Sequence, residues 1–328
     1  MNPNASLRIK IIGAFAAVYI IWGSTYLAIH YAIETIPPLL MAGSRFLTAG
    51  IILFIWARIK GAGLPNFADF KKATFIGALL LLGGNGMVVL AERSVPSGLT
   101  ALLIATEPLM IVLLEWFRKG GIRPAGRASI GLLTGLAGVA FLIGPSNLSS
   151  VSNVDLFGAM LLMFASLSWA FGSLYASRAH SHASPLMNAA VQMVMGGAFL
   201  LIVGSAVGET HGFILSNITF SSIISEAYLI VFGSLVGYTC YSWMLRVVKP
   251  SLASTYAYVN PVVAVFLGWL IAGEQLSVKT IIAAAIILAG VILILSQKKK
   301  EPEPETMVAE PDVACELEPV TVKTRGNQ

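Results

Sequence analysis

The sequence predicts an all-α membrane protein with ten transmembrane helices, arranged as two inverted repeats of five helices. Three observations predict this class. The 328 residues are 56% hydrophobic and only 11% charged, whereas a soluble domain carries about 25% charged residues. The apolar residues fall into ten long runs that short loops separate. Similar patterns of polar residues and prolines also recur in the two halves of the chain.

Each of the ten apolar runs is long enough to cross the hydrocarbon core, which is roughly 30 Å thick and needs about 20 helical residues. A backbone in lipid must satisfy its own hydrogen bonds, so each run is expected to form a helix. The first run has no cleavage site and is too long for a signal peptide. The predicted helices cover residues 10–32, 38–59, 73–91, 97–117, 126–145, 155–178, 185–206, 222–246, 251–272 and 278–296.

Charges at the helix ends predict the orientation in the membrane. One set of ends carries 16 basic residues, including Arg58, Lys72 and Arg178, and the opposite set carries two, Arg93 and Lys279. Because lysine and arginine are retained on the cytoplasmic side, both termini are expected in the cytoplasm. The dispersal of these charges in short loops favours contact with lipid headgroups over nucleic acid. The expected partners are therefore the lipid bilayer and a small-molecule substrate, with no nucleic acid.

A polar residue followed by proline occurs deep in two of the runs. Glu107-Pro108 in the fourth run returns 153 residues later as Asn260-Pro261 in the ninth. Proline lacks a backbone N–H and removes a helical hydrogen bond, so Pro108 and Pro261 are predicted to break their helices. Inverted repeats with helices broken near the midplane are typical of alternating-access transporters.

A second spacing supports the repeat. Sixteen residues separate Trp22 from Pro38, and the same number separates Trp169 from Pro185. Five helices per unit is an odd number, so the second copy enters the membrane from the opposite side. We predict repeat domains at residues 1–147 and 148–296, followed by a disordered cytoplasmic tail at residues 297–328, where seven acids follow three lysines.

Several motifs within these repeats resemble a known family. They are Tyr19-Ile-Ile-Trp-Gly-Ser-Thr-Tyr26, Pro38-Leu-Leu-Met-Ala-Gly43, Arg45-Phe46, Gly84-Asn-Gly-Met87, Pro96-Ser-Gly98, Ser168-Trp-Ala-Phe-Gly-Ser173 and Tyr256-Ala-Tyr-Val-Asn-Pro-Val-Val-Ala-Val265. With them the chain resembles the EamA family of the drug/metabolite transporter superfamily. The resemblance implies inverted five-helix repeats, a bacterial inner membrane and export of small metabolites, often amino acids or drugs. Glu107 departs from the family, whose members usually carry an uncharged residue before that proline, so the resemblance implies no role for its charge.

Ionisable groups inside the bilayer cost at least about 2.5–3.5 kcal/mol, which makes each a functional candidate. Arg45 and Glu107 lie seven and ten residues into their predicted helices from the same side, or roughly 10 and 15 Å deep at 1.5 Å per residue. Three interpretations are open. The two residues form a structural ion pair, Arg45 binds a substrate carboxylate, or Glu107 couples the protein to protons.

The other candidate pathway-lining residues are aromatic or amide side chains: Trp22, Tyr26, Asn85, Trp169, Tyr256 and Asn260. Trp22 and Tyr26 are four residues apart, as are Tyr256 and Asn260, so each pair shares one helix face. Packing between helices and lining of a cavity both explain such residues.

No phosphate loop, zinc-protease motif or nucleophile–base pattern is found in the sequence, so no enzyme activity, cofactor or metal site is expected. The predicted function is a secondary active transporter that exports small metabolites, such as amino acids, related amphipathic compounds or drugs. The alternatives are a channel-like facilitator and a membrane enzyme.

Overall fold

The computed structural model describes residues 3–118, 126–143, 156–272 and 278–295. Within these residues every regular element is a helix, which confirms the all-helical class. Eight helical spans are long and apolar enough to cross a membrane: Leu7–Ala32, Pro38–Ile59, Phe67–Ala91, Ser97–Phe117, Leu156–Arg178, Pro185–Ala206, Phe220–Val247 and Pro250–Ile271. Two further helices contain the shorter apolar stretches Ser129–Gly138 and Ile281–Gly290. The count of ten transmembrane helices therefore remains a prediction. The predicted domain boundary at 147/148 and the tail 297–328 lie outside the described residues.

The spans divide into shorter elements. They are α1 (Pro3–Ala32), α2 (Pro38–Ile59), α3 (Phe67–Gly77), π1 (Ala78–Gly86), α4 (Met87–Ala91), α5 (Ser97–Ile104), α6 (Glu107–Phe117), α7 (Gly126–Ile143), α8 (Leu156–Arg178), α9 (Pro185–Ala206), α10 (Phe220–Tyr228), π2 (Leu229–Tyr238), α11 (Thr239–Val247), α12 (Pro250–Ala253), α13 (Tyr256–Ala272) and α14 (Val278–Leu295). Prolines begin α2, α9 and α12 because the N–H that proline lacks has no partner in a first helical turn.

Helices of one half pack on their counterparts in the other half. Along α2 and α9, a Cβ added at Gly50 would lie 2.6 Å from the backbone nitrogen of Val194, and one at Gly197 would lie 2.5 Å from that of Leu47. In the same way α7 and α14 approach closely where Gly290 faces Gly135. Small residues thus let the backbones of paired helices approach closely, as is common in membranes.

Two π-helical segments, π1 and π2, occupy matching positions in the third span and in the span Phe220–Val247. The glycines Gly84 and Gly237 within them are 153 residues apart. These segments were not predicted from the sequence. A π-helical turn holds one residue more than an α-helical turn, and this leaves the overall apolar pattern of a spanning helix unchanged. π-Helical turns inside α-helices are frequent at functional sites.

The helix interruptions lie at different distances from the two prolines. Pro108 is the second residue of α6, directly after the interruption at residues 105–106. Pro261 was predicted to break the second helix, but this is wrong: Pro261 lies inside α13, and the interruption falls at residues 254–255.

A threonine hydroxyl bond lies at each interruption. Thr106 Oγ1 donates to Leu103 O at 2.8 Å, and Thr255 Oγ1 donates to Leu252 O at 2.7 Å. A threonine that bonds a carbonyl three residues back competes with the helical backbone bond at that point. In the second half the interruption therefore coincides with Thr255 and not with Pro261.

The two ends of the helix bundle differ in charge. We call the end where α1 begins the basic end, since Lys72 and Arg178 lie there, and the end where α1 finishes the acidic end. At the basic end Lys72 Nζ donates to His180 O at 2.7 Å. At the acidic end the Glu209 carboxylate accepts from the backbone nitrogens of Leu39 and Leu40, at 3.3 and 3.0 Å, and so caps α2.

Candidate functional site

A buried cavity lies between α1, α2, π1, α4, α5, α6, α8, π2 and α13. It has a volume of about 70 Å³. All eight residues predicted to line a pathway line this one cavity: Trp22, Tyr26, Arg45, Asn85, Glu107, Trp169, Tyr256 and Asn260. The cavity is narrow because side chains converge on it from nine elements.

Four residues that line the cavity carry a buried polar atom without a hydrogen-bond partner among the described residues. These atoms are Arg45 Nη1, Asn85 Oδ1, Glu107 Oε1 and Ser166 Oγ. Leaving such an atom unpaired costs about 1–3 kcal/mol, and more for a charged group. One cationic donor and three oxygen atoms therefore face a common space in which a ligand with complementary groups would satisfy them.

Arg45 is held in place on the side of the cavity formed by π2. Its Nε donates to Ser234 Oγ at 2.8 Å, and its guanidinium lies 4.6 Å from the centre of the Phe46 ring. A Cβ added at Gly233 would lie 2.6 Å from Arg45 Nη2, so only glycine leaves room for the guanidinium there. These contacts orient one face of the guanidinium and leave Nη1 free.

Arg45 and Glu107 do not form an ion pair among the described contacts, although both line the cavity. The acids whose charges act most on Arg45 are Glu226 and Glu92. Glu226 accepts a hydrogen bond of 2.5 Å from Ser44 Oγ. The interpretation of Arg45 and Glu107 as a structural ion pair therefore has no support in the geometry.

Glu92 follows α4 at the acidic end, and its side chain is almost fully buried. Neither of its carboxylate oxygens has a hydrogen-bond partner among the described residues. Burial raises the pKa of the Glu92 carboxyl well above its usual range, while the positive charge of Arg45 acts in the opposite direction.

The break in the first half places Glu107 at the start of α6. Its Oε2 accepts a hydrogen bond of 2.6 Å from the Tyr256 hydroxyl, and its Oε1 has no partner. The side chain is only 1% exposed. A carboxylate in the first turn of a helix is stabilised by the positive end of the helix dipole. The interruption at 105–106 thus creates a place where a buried negative charge can be held.

Four aromatic rings close the cavity toward the basic end, and we call them the ring cluster: Trp22, Trp169, Tyr241 and Tyr256. The Trp22 ring centre lies 5.5 Å from that of Trp169, 5.0 Å from that of Tyr241 and 4.8 Å from that of Tyr256. Such spacings are favourable for aromatic pairs. The Tyr241 hydroxyl accepts from Trp169 Nε1 at 3.0 Å and is bonded to Ser173 Oγ at 2.7 Å. The polar atoms of this cluster are thus paired, in contrast to those of the cavity.

The segments around the two tryptophans of the cluster each contact a π segment in the other half of the chain. Trp22 Nε1 donates to Gly233 O at 3.0 Å in π2. Next to Trp169, Ser168 Oγ donates to Leu79 O at 2.8 Å in π1. The widened turns of a π-helix leave carbonyl groups that side chains of a neighbouring helix can satisfy. The exchange of contacts between the halves is consistent with the repeat in the sequence.

Three residues of the site were not singled out in the sequence. Ser166, Ser234 and Tyr241 are hydroxyl residues within apolar runs. The Gly83-Gly84-Asn85-Gly86 run and the Gly233 and Gly237 pair were the available signal for π1 and π2, since they mark close approaches on both sides of the cavity.

Comparisons with known proteins agree with this architecture. The EamA-like transporter family matches the chain twice, at residues 9–144 and 156–296. An Escherichia coli K12 protein, "Uncharacterized inner membrane transporter YedA", is 40% identical over 287 residues, which cover 87% of this chain and 90% of that protein. "Uncharacterized transporter YoaV" of Bacillus subtilis is 28% identical, covering 87% of this chain and 96% of the relative.

Two further comparisons bear on a substrate and on the fold. A "Probable amino-acid metabolite efflux pump" of Escherichia coli K12 is 28% identical over 57% of this chain and 59% of its own length. A solved crystal structure aligns with a TM-score of 0.66 at 18% identity, covering 87% of this chain and 96% of the other chain. The structural likeness shows a shared fold only.

Proposed function

The chain belongs to the EamA-like transporter family, and on that basis we propose that it is a secondary active transporter of a bacterial inner membrane that exports small dipolar metabolites, such as amino acids, by alternating access. One observation carries the substrate class. Arg45 Nη1 and Glu107 Oε1 have no hydrogen-bond partner among the described residues, so a guanidinium and a carboxyl group both face one buried cavity.

A metabolite with both a carboxylate and an ammonium group satisfies these atoms. The carboxylate accepts from Arg45 Nη1, and the ammonium donates to Glu107 Oε1, with Asn85 Oδ1 and Ser166 Oγ as further acceptors. The apolar part of the metabolite rests on the rings of the cavity wall. Hydrophobic walls with a few fixed polar groups are the usual composition of small-molecule sites.

Protons are the proposed driving ion. The Glu107 carboxylate can hold a proton or the substrate ammonium, but not both at Oε1. Binding of the ammonium on the cytoplasmic side releases the proton there, and a proton that arrives from outside displaces the substrate. This exchange exports one substrate for each proton that enters, and it uses a buried carboxylate in the manner of known proton relays.

The loop charges and the ring cluster together define the sidedness of the proposal. The positive-inside rule assigns the basic end and both termini to the cytoplasm. The ring cluster then closes the cytoplasmic side of the cavity. Ten helices in inverted repeats, residues 1–147 and 148–296, would rock about the cavity to open each side in turn.

Three matched compounds test the proposal on purified protein in liposomes. They are an apolar amino acid identified in a thermal-shift screen, the amine that lacks its carboxylate and the acid that lacks its ammonium. We expect Arg45→Gln to lower the affinity for the amino acid and for the acid by about tenfold or more, since a buried charged partner is lost. The affinity for the amine should not change. Glu107→Gln should lower the affinity for the amino acid and for the amine and leave the affinity for the acid unchanged.

Ser168→Ala is the control, because its hydroxyl bonds Leu79 O outside the cavity lining. It should leave all three affinities unchanged. Equal losses for the three compounds in both cavity variants would contradict the dipolar site. Transport that neither saturates nor shows counterflow would identify a channel-like facilitator, and chemical conversion of the compound would identify an enzyme.

A further inference from the structure

A second concave site lies at the basic end, on the outside of the helix bundle between α6 and α8. It has a volume of about 400 Å³, and its lining shares no residue with the central cavity. Lys72, Arg118 and Arg178 line it, together with an apolar wall that includes Leu114, Phe171 and Tyr175. We call this site the basic groove.

The three cations of the basic groove come from three separate spans. Lys72 is on α3, Arg118 directly follows α6, and Arg178 ends α8. The hydrogen bond from Lys72 to His180 O holds the lysine beside the end of α8. Lysine and arginine are in general enriched at cytoplasmic helix ends. The basic groove differs from this general enrichment because three positive charges lie together over one apolar wall.

Acids near the groove compensate only part of this charge. Lys72 Nζ lies 3.7 Å from the Asp69 carboxylate, which is buried and also accepts from His182 N. Arg178 Nη2 lies 3.8 Å from Glu115 Oε1, and both of these side chains are more than one third exposed. Each guanidinium has five N–H donors, so one long ion pair leaves most of those of Arg178 available.

The wall below the cations is exposed on the surface of the helix bundle. Phe171 is 47% exposed and Tyr175 is 36% exposed. Tyr175 is fixed by an edge contact with Phe75, with ring centres 5.1 Å apart. An apolar wall directly under a cluster of cations matches the shape of a phospholipid, in which an anionic headgroup stands over an acyl chain.

We propose that the basic groove binds one anionic phospholipid. The phosphate lies against Lys72, Arg118 and Arg178, and an acyl chain follows Phe171 and Tyr175. Arginine guanidinium groups bind phosphate oxygens in pairs, and basic pockets between transmembrane helices on the cytoplasmic side recognise anionic headgroups. The open groove at the acidic end has a different charge, because two acids, Glu34 and Glu209, line it together with Arg93.

Glu115 gives the proposal a specific consequence. Its carboxylate competes with the lipid phosphate for Arg178, because both are anions that bind the same guanidinium. Removing the Glu115 charge should therefore strengthen lipid binding, whereas removing Arg178 should weaken it. A role of the ion pair in stability alone predicts no change in lipid selectivity for either variant.

Native mass spectrometry of the full-length protein in detergent tests this site. We compare phosphatidylglycerol with phosphatidylethanolamine of identical acyl chains. The ratio of the two bound lipids should fall roughly tenfold or more in Arg118→Gln/Arg178→Gln, the size expected when two basic side chains near an anionic lipid are removed. Glu115→Gln should raise the ratio.

Arg58→Gln is the matched control, since Arg58 is also exposed at the basic end but donates to Ala62 O and does not line the groove. It should leave the ratio unchanged. An unchanged ratio in Arg118→Gln/Arg178→Gln, or in Arg118→Gln alone if the double variant does not fold, would overturn the proposal. Glycerol phosphate that binds the groove as tightly as the lipid would also overturn it, because the apolar wall would then contribute nothing. The readout is lipid binding, so it stands apart from the transport proposal.

Discussion

The two broken helices of this protein use one backbone device for different purposes. In each, a threonine hydroxyl bonds a carbonyl three residues back, Thr106 to Leu103 and Thr255 to Leu252. The next residue then starts a new helix: Glu107 starts α6, and Tyr256 starts α13. The Tyr256 hydroxyl donates to the Glu107 carboxylate at 2.6 Å, so the two breaks meet at this hydrogen bond.

What differs is the chemistry placed after each break. The first break exposes a carboxylate with one unpaired oxygen to the cavity. The second contributes an aromatic ring to the ring cluster and an amide to helix packing. With its nitrogen oriented toward the backbone, the Asn260 amide donates to Tyr19 O at 3.2 Å and to Tyr256 O at 3.0 Å. The two halves thus share a similar break in the backbone but carry different side chains after it.

The largest expected effect comes from removing the charge of the first break. Glu107→Gln should abolish transport driven by a pH gradient and leave substrate counterflow measurable, because the amide cannot exchange a proton. The loss of driven transport should be about tenfold or more, equivalent to at least 1.4 kcal/mol. Uptake of the labelled metabolite into liposomes with and without a pH gradient measures both activities.

Asn260→Ala is the counterpart in the second half. Loss of its two backbone hydrogen bonds should lower the midpoint of thermal denaturation and leave the dependence on the pH gradient intact. If Asn260→Ala removed the dependence and Glu107→Gln kept it, the assignment of chemistry to the first break would be wrong.

A smaller effect is expected when the bond between the two breaks is removed. Tyr256→Phe keeps the ring and deletes the hydroxyl that donates to Glu107, so the carboxylate loses its single described partner. Because that hydroxyl stabilises the ionised carboxylate, its loss should move the pH profile of transport toward higher pH. Initial rates across a pH series measure the shift.

Tyr238→Phe is the matched control, since its buried hydroxyl donates to Gln192 Oε1 at 2.8 Å and not to a carboxylate. This substitution also removes one buried hydrogen bond, but the pH profile of transport should not change. A shift of equal size in both variants would indicate a general loss of packing.

The smallest effects concern the threonines. Thr106→Val and Thr255→Val each remove a hydroxyl–carbonyl bond, worth about 1 kcal/mol inside a membrane protein. Thr255 also bonds the Tyr19 hydroxyl at 2.7 Å, so its substitution should destabilise the protein more. Thermal denaturation in detergent compares the two. A larger loss for Thr106→Val would contradict the packing role of the second break.

The sequence predicted the helical class and the residues that gather around the cavity, because polar and aromatic groups deep in apolar runs are costly and therefore informative. Trp22, Arg45, Glu107 and Tyr256 stood out for this reason, and the structure brings them together. Their roles in substrate binding remain a proposal.

The arrangement around these residues could not be predicted because it depends on contacts between distant parts of the chain. Ser234 fixes Arg45 from 189 positions away. Proline marks where a helical hydrogen bond is absent, but a neighbouring helix or the start of a helix can accommodate that absence, as at Pro261. The threonine bond at the second break is ordinary in sequence, and Thr255 also contacts the Tyr19 hydroxyl on α1.

Proton release on substrate binding tests most directly the claim that Glu107 holds either a proton or the substrate ammonium. Saturating amounts of the amino acid are added to purified protein in weakly buffered detergent, and the pH change is recorded over a pH series. The wild-type protein should release up to one proton per bound substrate, and Glu107→Gln should bind the substrate without release. Equal proton release from both proteins, or substrate binding to the wild-type protein without release at any pH, would contradict the claim.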